Sequence, residues 1–253
     1  MSATDLYLDL LKRALTDTLY GEEPDHDDPD VARFIQGFLR HYIQGRAHTM
    51  VPLARLDNVE ACVRSALGDG VPGDLIETGA WRGGVTIFMR GLLRALGVED
   101  RRVWVADSFR GLPEPDAERF PLEAAAHHSR TMVKEYRHFA VSAGEVRRNF
   151  ERYGLLDENV RFLEGWFADS LPGAPIEALA VLRLDGDYYE STRDALIHLY
   201  PRLSPGGYVI VDDYGESDWT YCRRAVDEFR EEQGIGDELL QVDSKCWFWR
   251  RSV

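Results

Sequence analysis

Apolar residues recur at helical spacing through the first seventy residues. In the opening segment they lie three or four positions apart, which is typical of a helix with one buried face; they are Tyr7, Leu8, Leu11, Leu15 and Leu19. Residues 31–45 and the segment "VPLARLDNVEACVRSALGDG" continue the helical pattern, and the second of these ends in glycines before a proline. We therefore predict a helical amino-terminal extension over residues 1–70.

From residue 74 onward the pattern changes to short β-rich runs, which are "DLIETG", "RRVWVADS", "VRFLEG", "LAVLRLDG", "GYVIVDD", "ELLQVDS" and "KCWFWRR". Helix-length segments separate the first five, which predicts crossover connections and a mostly parallel sheet. The last two lie too close together for a helix, so we expect an antiparallel hairpin at the sheet edge. The chain, residues 1–253, is thus predicted to be one α/β domain with a seven-stranded sheet.

One connection is longer than a crossover in such a fold requires. It covers residues 111–140, directly after the second predicted strand. Connections of this length are usually lids, binding loops or disordered inserts. We predict a lid or acceptor-binding insert here, in which His127, His128 and His138 are solvated lid residues.

Composition and charge narrow the classes of partner. Apolar residues make up 44% of the chain and charged residues 29%, as in ordinary soluble globular proteins. The net charge of −14 argues against nucleic acid or an anionic membrane as partner. The chain starts without signal-peptide features, and no run approaches the ~20 apolar residues of a membrane span. The cysteines, Cys62, Cys222 and Cys246, form no CxxC motif, which suits a reducing compartment, so we expect a cytoplasmic protein.

Acidic residues stand at the ends of four of the first five predicted strands. They are Glu77, Asp107, Asp185 with Asp187, and Asp212 with Asp213. In an open parallel sheet, ligands bind outside the carboxyl ends of the strands. A single aspartate in such a place is often a helix cap, but four acidic strand ends are hard to explain in that way. We therefore expect a binding site along this edge.

The first two strand ends match the chemistry of S-adenosylmethionine. "IETGAWRGG" places Glu77 beside a glycine turn with the spacing E-x-G-x-x-x-G, and lacks the G-x-G-x-x-G of dinucleotide dehydrogenases. A carboxylate there repels phosphate and accepts an ammonium group. Asp107, in "WVADSF", can accept both hydroxyls of a ribose. Trp166 and Phe167, after the third strand, would either flank the adenine or pack beneath a loop.

The last two acidic strand ends predict a metal site with a base. Asp185, Asp212 and Asp213 come from neighbouring strands, and three converging carboxylates repel one another unless a cation lies between them. Oxygen ligands alone favour Mg²⁺, or Mn²⁺, over zinc. Asp187 would then be free to take a proton from a hydroxyl near the metal. The alternative is that Asp187 caps the helix beginning near "STRDALIHLY".

With these residues in place, the chain resembles the macrocin O-methyltransferase family, of the TylF and NovP type. The resemblance runs from about Leu6 to the carboxyl terminus, over motifs that include "YLDLLKR", "AHTM", "DGVPGDLIETGAWRGG", "VWVADSF", "RYGLLDENVRFLEGWF", "LRLDGDYYEST", "YPRLSPGGY" and "DDY". It implies a Rossmann-like class I methyltransferase fold and a Mg²⁺-dependent enzyme that methylates a sugar hydroxyl on a glycosylated natural product. Residues 21–46 and 111–140 are the least similar and would shape the acceptor pocket.

The resemblance also implies roles for individual residues and supports the metal ligands and base named above. The cofactor would contact Glu77, Gly79, Trp81, Arg82 and Gly83 on its methionine side, Asp107 and Ser108 at the ribose, Ser142, Phe167 and Ala168 near the adenine, and Met50 close to the reacting methyl group. Ser142 could equally be a helix N-cap, and Met50 a core residue.

Two other functions stay open at this point. The first is an O-methyltransferase that uses the same metal chemistry on a flat catechol-type acceptor. Such an enzyme needs an aromatic slot, whereas a sugar enzyme needs a vicinal diol to bind the metal. A non-catalytic module that binds calcium or disperses charge is the second alternative. We expect a small-molecule glycoside as partner and a homo-oligomer, while the sequence leaves the acceptor and the hydroxyl position undetermined.

Overall fold

The computed structural model describes residues 2–24, 30–128, 138–215 and 220–252. Its centre is a seven-stranded sheet in the order β3-β2-β1-β4-β5-β7-β6. The strands are β1 Asp74–Thr78, β2 Val103–Asp107, β3 Val160–Glu164, β4 Leu179–Leu184, β5 Leu203–Val211, β6 Leu240–Gln241 and β7 Trp247–Arg250. The first five are parallel, while β7 runs antiparallel to β5 and to β6. The predicted seven-stranded, mostly parallel sheet with a final antiparallel hairpin is confirmed.

Helices cover both faces of this sheet. They are α1 Ala3–Leu15, α2 Val31–Phe38, α3 Leu53–Gly68, α4 Gly84–Ala95, α5 Pro121–His127, α6 Ala143–Arg152, α7 Phe167–Ser170, α8 Tyr189–Leu199 and α9 Thr220–Glu232. The core on one face is formed with α1, α3, α4 and α6, and the core on the other with α8 and α9. Within the described residues, no helix is both long and apolar enough to cross a membrane.

Strand β4 lies at the centre of the sheet, between β1 and β5. All six of its residues are buried, because successive side chains point to opposite faces and a helical layer covers each face. Val181 belongs to one core and Leu182 to the other. The next residue, Arg183, is charged and has no exposed surface, so this strand carries a buried cation to the sheet edge where the acidic residues lie.

The amino-terminal helices pack on the sheet as an additional layer. Helix α1 begins with a capping box between Ser2 and Asp5 and buries Leu8, Leu11 and Leu15, as the periodicity predicts. The inclusion of Tyr7 and Leu19 in this face was wrong, because Tyr7 is 40% exposed and Leu19 lies beyond the helix. The helix ends at Leu15, the chain turns through Asp17 at a positive φ of 58°, and Leu19 is 40% exposed.

The segment predicted as a helix over residues 31–45 is helical. Helix α2 continues into a π-helical turn over Leu39–Ile43, which buries Tyr42. In the long insert, α5 is the one helix within the described residues, and the positions predicted to form the rest of the lid, 129–137, lie outside them.

Candidate active site

The acidic strand ends meet in a cavity at the point where the strand order reverses. Strands β2 and β3 lie on one side of β1, while β4 and β5 lie on the other, and open α/β sheets bind ligands at such a switch point. The cavity there has a volume of about 720 Å³. Twelve residues predicted for the site line it: Met50, Glu77, Gly79, Trp81, Asp107, Ser108, Phe167, Ala168, Asp185, Asp187, Asp212 and Asp213.

Close backbone packing explains the glycine turn after β1. Gly79 has a positive φ of 93°, and a Cβ atom there would lie 1.7 Å from the carbonyl oxygen of Asp185. Trp81 follows in the left-handed region with a φ of 48°, which is uncommon for a residue that is not glycine. The turn therefore brings the ends of β1 and β4 together and leaves no room for a larger residue at position 79.

Asp107 binds this turn from the end of β2. One of its oxygens accepts the N–H groups of Ala80 at 2.7 Å and Trp81 at 3.2 Å, and the other accepts the N–H of Phe109 at 2.7 Å. Burial raises the pKa of Asp107, and the backbone hydrogen bonds, which lower the pKa, offset only part of this increase. These backbone donors hold the Asp107 carboxylate at the turn, and its contact with the ribose hydroxyls stays a prediction.

Glu77 is buried at the end of β1 with one oxygen unpaired. Its Oε1 accepts a hydrogen bond from Arg183 at 2.6 Å, whereas its Oε2 is buried without a partner in the described protein. Burial raises the pKa of Glu77 to about 8, against the attraction of Arg183. A buried, unpaired carboxylate oxygen is costly, and a cationic ligand group would remove that cost.

The three predicted metal ligands converge. One oxygen from each of Asp185, Asp212 and Asp213 lies within 4.8 Å of the others. Oxygens around one Mg²⁺ lie ~3 Å apart when neighbouring and ~4.2 Å apart when opposite, so these three carboxylates are close enough to approach a single ion. The donor set is entirely oxygen, which suits Mg²⁺ or Mn²⁺. These residues therefore fit the metal that the sequence predicts.

Two buried arginines, which the sequence reasoning missed, share these carboxylates. Arg183 contacts Glu77, Asp185 at 2.7 Å and Asp212. Burial alone would lower the pKa of Arg183, but Asp212, Asp185 and Glu77 outweigh it and raise the pKa. Arg55, on α3, donates to the other oxygen of Asp212 at 2.7 Å. Part of the positive charge that we expected from a metal is thus supplied by the protein.

Asp187 lies beyond the end of β4 with an unusual backbone. Its φ is 61°, in the left-handed region that non-glycine residues seldom occupy outside turns and functional sites. Helix α8 begins two residues later, and its N-cap residue is Tyr188, whose side chain makes no capping hydrogen bond. This placement disfavours the alternative in which Asp187 is the N-cap, and its role as the base stays a prediction.

Three predicted cofactor residues lie outside the cavity wall. The guanidinium of Arg82 donates to the carbonyl oxygens of Tyr42 and Ala47 at 3.0 and 2.8 Å, so it fastens the amino-terminal layer to the turn. Gly83 is the N-cap of α4. Ser142 caps α6 by accepting the N–H of the third helical residue at 3.2 Å. Contact of these three residues with a cofactor stays a prediction.

The side of the cavity that faces the amino-terminal layer and the insert is mostly apolar. Its apolar lining residues, apart from Met50 and Val51, are Ile35, Phe38, Ile43, Leu112, Pro113 and Phe139, and Arg119 of the insert is charged. They belong to the two regions, residues 21–46 and 111–140, in which the family resemblance is weakest. The cavity thus combines an acidic floor, formed by the strand ends, with an apolar wall.

Comparison with known proteins gives a consistent result. A family model described as Macrocin-O-methyltransferase (TylF) matches residues 43–251. The 8-demethyl-8-(2,3-dimethoxy-alpha-L-rhamnosyl)-tetracenomycin-C 4'-O-methyltransferase of Streptomyces olivaceus is 52% identical, over 99% of this chain and 94% of that protein. The mycinamicin III 3''-O-methyltransferase of Micromonospora griseorubida is 48% identical, over 100% and 98%. The structure of the O-methyltransferase NovP superposes with a TM-score of 0.85 at 47% identity, over 99% of this chain and 100% of that one.

Proposed function

Since the chain belongs to the macrocin O-methyltransferase family, we propose that it transfers a methyl group from S-adenosylmethionine to a sugar hydroxyl of a glycosylated natural product. The observation that carries this proposal is the convergence of Asp185, Asp212 and Asp213 in a cavity that Asp187 and Glu77, with its unpaired oxygen, also line. A metal-ligand set, a base and an acceptor for an ammonium group are the parts that such a transfer requires.

The cofactor would lie across the ends of β1 and β2. S-adenosylmethionine, when bound, supplies the electrophilic methyl group. Glu77 would accept its ammonium group through Oε2, and Asp107 would accept the ribose hydroxyls in addition to its three backbone donors. Phe167 lines the cavity after β3 and would pack on the adenine, while Met50 would border the reacting methyl group.

The acceptor hydroxyl would lie at the ends of β4 and β5. Asp185, Asp212 and Asp213 would hold Mg²⁺, which when bound supplies Lewis-acid stabilisation of negative charge on the hydroxyl oxygen. Asp187 would take the proton of this hydroxyl as the oxygen attacks the methyl group. The buried arginines orient the ligands, because Arg183 and Arg55 bind the two oxygens of Asp212 from opposite elements, β4 and α3.

The wall of the cavity favours a sugar that already carries an apolar aglycone. Among the described residues, eight acidic and four basic side chains line the cavity, and the three arginines of this set each pair with a carboxylate. Such a surface is unsuited to the diphosphate of a nucleotide sugar. Phe38 and the other apolar residues of the wall would contact an apolar aglycone and remove its surface from water.

Methyl transfer can be tested with a panel of acceptors. Purified protein would be incubated with S-adenosylmethionine, Mg²⁺ and glycosides of macrolides, enediynes, aromatic polyketides and coumarins, each beside its free aglycone and a simple catechol. We expect the mass of one added methyl group on a glycoside, located on the sugar by fragmentation. Methylation of the catechol alone would favour the aromatic-acceptor alternative. Absence of cofactor binding in calorimetry would favour a non-catalytic module.

A further inference from the structure

The long insert holds the start of helix α8, directly after Asp187. Glu123, on α5, is 1% exposed and accepts the backbone N–H of Tyr189 at 3.0 Å. Tyr189 is the first residue of α8, and the N-cap residue Tyr188 contributes no side-chain capping hydrogen bond. Glu123 therefore supplies, from a different helix, the acceptor for the first N–H group of α8.

Two further contacts join the same elements. The ring of Phe120 stacks on that of Tyr189 with centroids 4.8 Å apart, and the two rings form a small core together with Ala225 of α9. Nδ1 of His127 lies 2.8 Å from the hydroxyl oxygen of Tyr188. Both residues that follow Asp187 are thus bound by the insert through a buried carboxylate, a stacked ring and a hydrogen-bonded imidazole.

The backbone of Asp187 depends on its surroundings. A left-handed conformation at a residue with a side chain persists only where the neighbouring structure fixes it. On the amino-terminal side, Gly186 is confined, since a Cβ atom there would lie 2.8 Å from the Cβ of Ser191. On the carboxyl-terminal side, the contacts of Glu123 with Tyr189 and of His127 with Tyr188 restrict the backbone.

We infer that Glu123 and His127 are positioning residues, which hold Asp187 with its carboxylate toward the acceptor by docking α5 on Tyr188 and Tyr189. This inference rests on the proposed role of Asp187 as the base. Neither residue lines the cavity in the described structure, so both act through the segment that they bind. The insert would thereby fix the position of the base and also form part of the acceptor pocket.

Replacement of Glu123 separates positioning from binding. Glu123→Ala should lower kcat by about 10- to 10²-fold, because misplacement of a reacting group by 1 Å can cost that much. The KM for S-adenosylmethionine and the Kd for S-adenosylhomocysteine, measured by calorimetry, should stay unchanged, since the cofactor residues lie on other elements. Glu123→Gln keeps an acceptor oxygen and should keep most activity. Glu118→Ala, at an exposed position of the same insert, is the matched control and should change nothing.

A double-mutant cycle with Asp187→Asn gives the decisive readout. If Glu123 acts through the base, Glu123→Ala should cause no further loss of kcat once Asp187 is asparagine. Losses that multiply would overturn the inference and leave the base assignment intact, whereas full activity of Asp187→Asn alone would overturn both. His127→Phe removes the hydrogen bond to Tyr188 together with the contact of the imidazole with Glu114, and it provides a second cycle should Glu123→Ala fail to fold. Wild-type kcat in both insert variants would also overturn the inference.

Discussion

Glu77→Gln tests whether the buried carboxylate binds the ammonium group of the cofactor. Glutamine keeps the shape and an acceptor for Arg183, but it removes the negative charge. A hydrogen bond to a charged group contributes about 1.5–3 kcal/mol, so we expect the affinity for S-adenosylhomocysteine to fall roughly 10- to 150-fold. The fold should be retained, since Arg183 still contacts Asp185 and Asp212.

The pH dependence of binding gives this prediction a second, independent readout. Burial raises the pKa of Glu77 to about 8, so in the free protein the side chain is largely protonated at neutral pH. An ammonium group binds the ionised form, and binding below pH 8 must therefore release a proton. Affinity should rise with pH, by up to about tenfold per unit, until about pH 8, and should fall again where the ligand's own ammonium group loses its proton. In Glu77→Gln this rise should be absent.

Titration calorimetry of wild type, Glu77→Gln and Glu164→Gln from pH 6 to 9, in two buffers of different ionisation enthalpy, measures both affinity and proton release. Glu164→Gln is the matched control, because Glu164 is exposed at the end of β3 and outside the cavity wall. An unchanged affinity in Glu77→Gln, or a pH dependence that persists in it, would refute the reasoning.

Three other changes probe the rest of the site. Arg183→Met removes a buried cation from the carboxylates and should lower the free energy of unfolding, measured in urea, by about 3 kcal/mol. The control Arg64→Met, at a half-exposed position, should cost less than about 1 kcal/mol. Equal losses in the two variants would contradict the assigned charge balance. Asp212→Asn should abolish activity at ordinary Mg²⁺ and regain part of it at high Mg²⁺, and full wild-type turnover in EDTA would exclude the metal. Phe38→Ser should raise the KM for a glycoside with an apolar aglycone by about tenfold or more and leave the KM for a simple methyl glycoside unchanged. An increase in KM for both acceptors would place Phe38 away from the aglycone.

Much of the fold follows from local pattern. The β-rich runs and their helix-length separations determine a parallel sheet, and the short gap before "KCWFWRR" determines the hairpin. Since parallel strands end at one edge, the meeting of Asp185 with Asp212 could be predicted from sequence alone. Helix α1 was predicted one turn too long, because apolar spacing continues past Leu15 while the backbone turns at Asp17.

The charge balance of the site could not be predicted in the same way. Arg183 interrupts an apolar run, and a cation in a central strand must find carboxylates, so a signal was present in "LAVLRLDG". Its partners depend on the register between β1 and β4, which pairs Glu77 with Arg183 and is not encoded in either strand alone. Arg55 lies more than 150 residues before Asp212 in the chain, and only tertiary packing brings them to 2.7 Å. The docking of Glu123 on α8 is a tertiary contact of the same kind.

The division of the acidic residues into metal ligands and a base is tested most directly by Asp187→Asn. Turnover would be measured with a glycoside acceptor, and Mg²⁺ and S-adenosylhomocysteine binding by isothermal titration of the same preparation. The account predicts a loss of turnover of roughly 10² to 10⁴, the usual contribution of a positioned base, with both affinities retained. Unchanged turnover would contradict it, and loss of Mg²⁺ binding would show that Asp187 is a ligand and not the base.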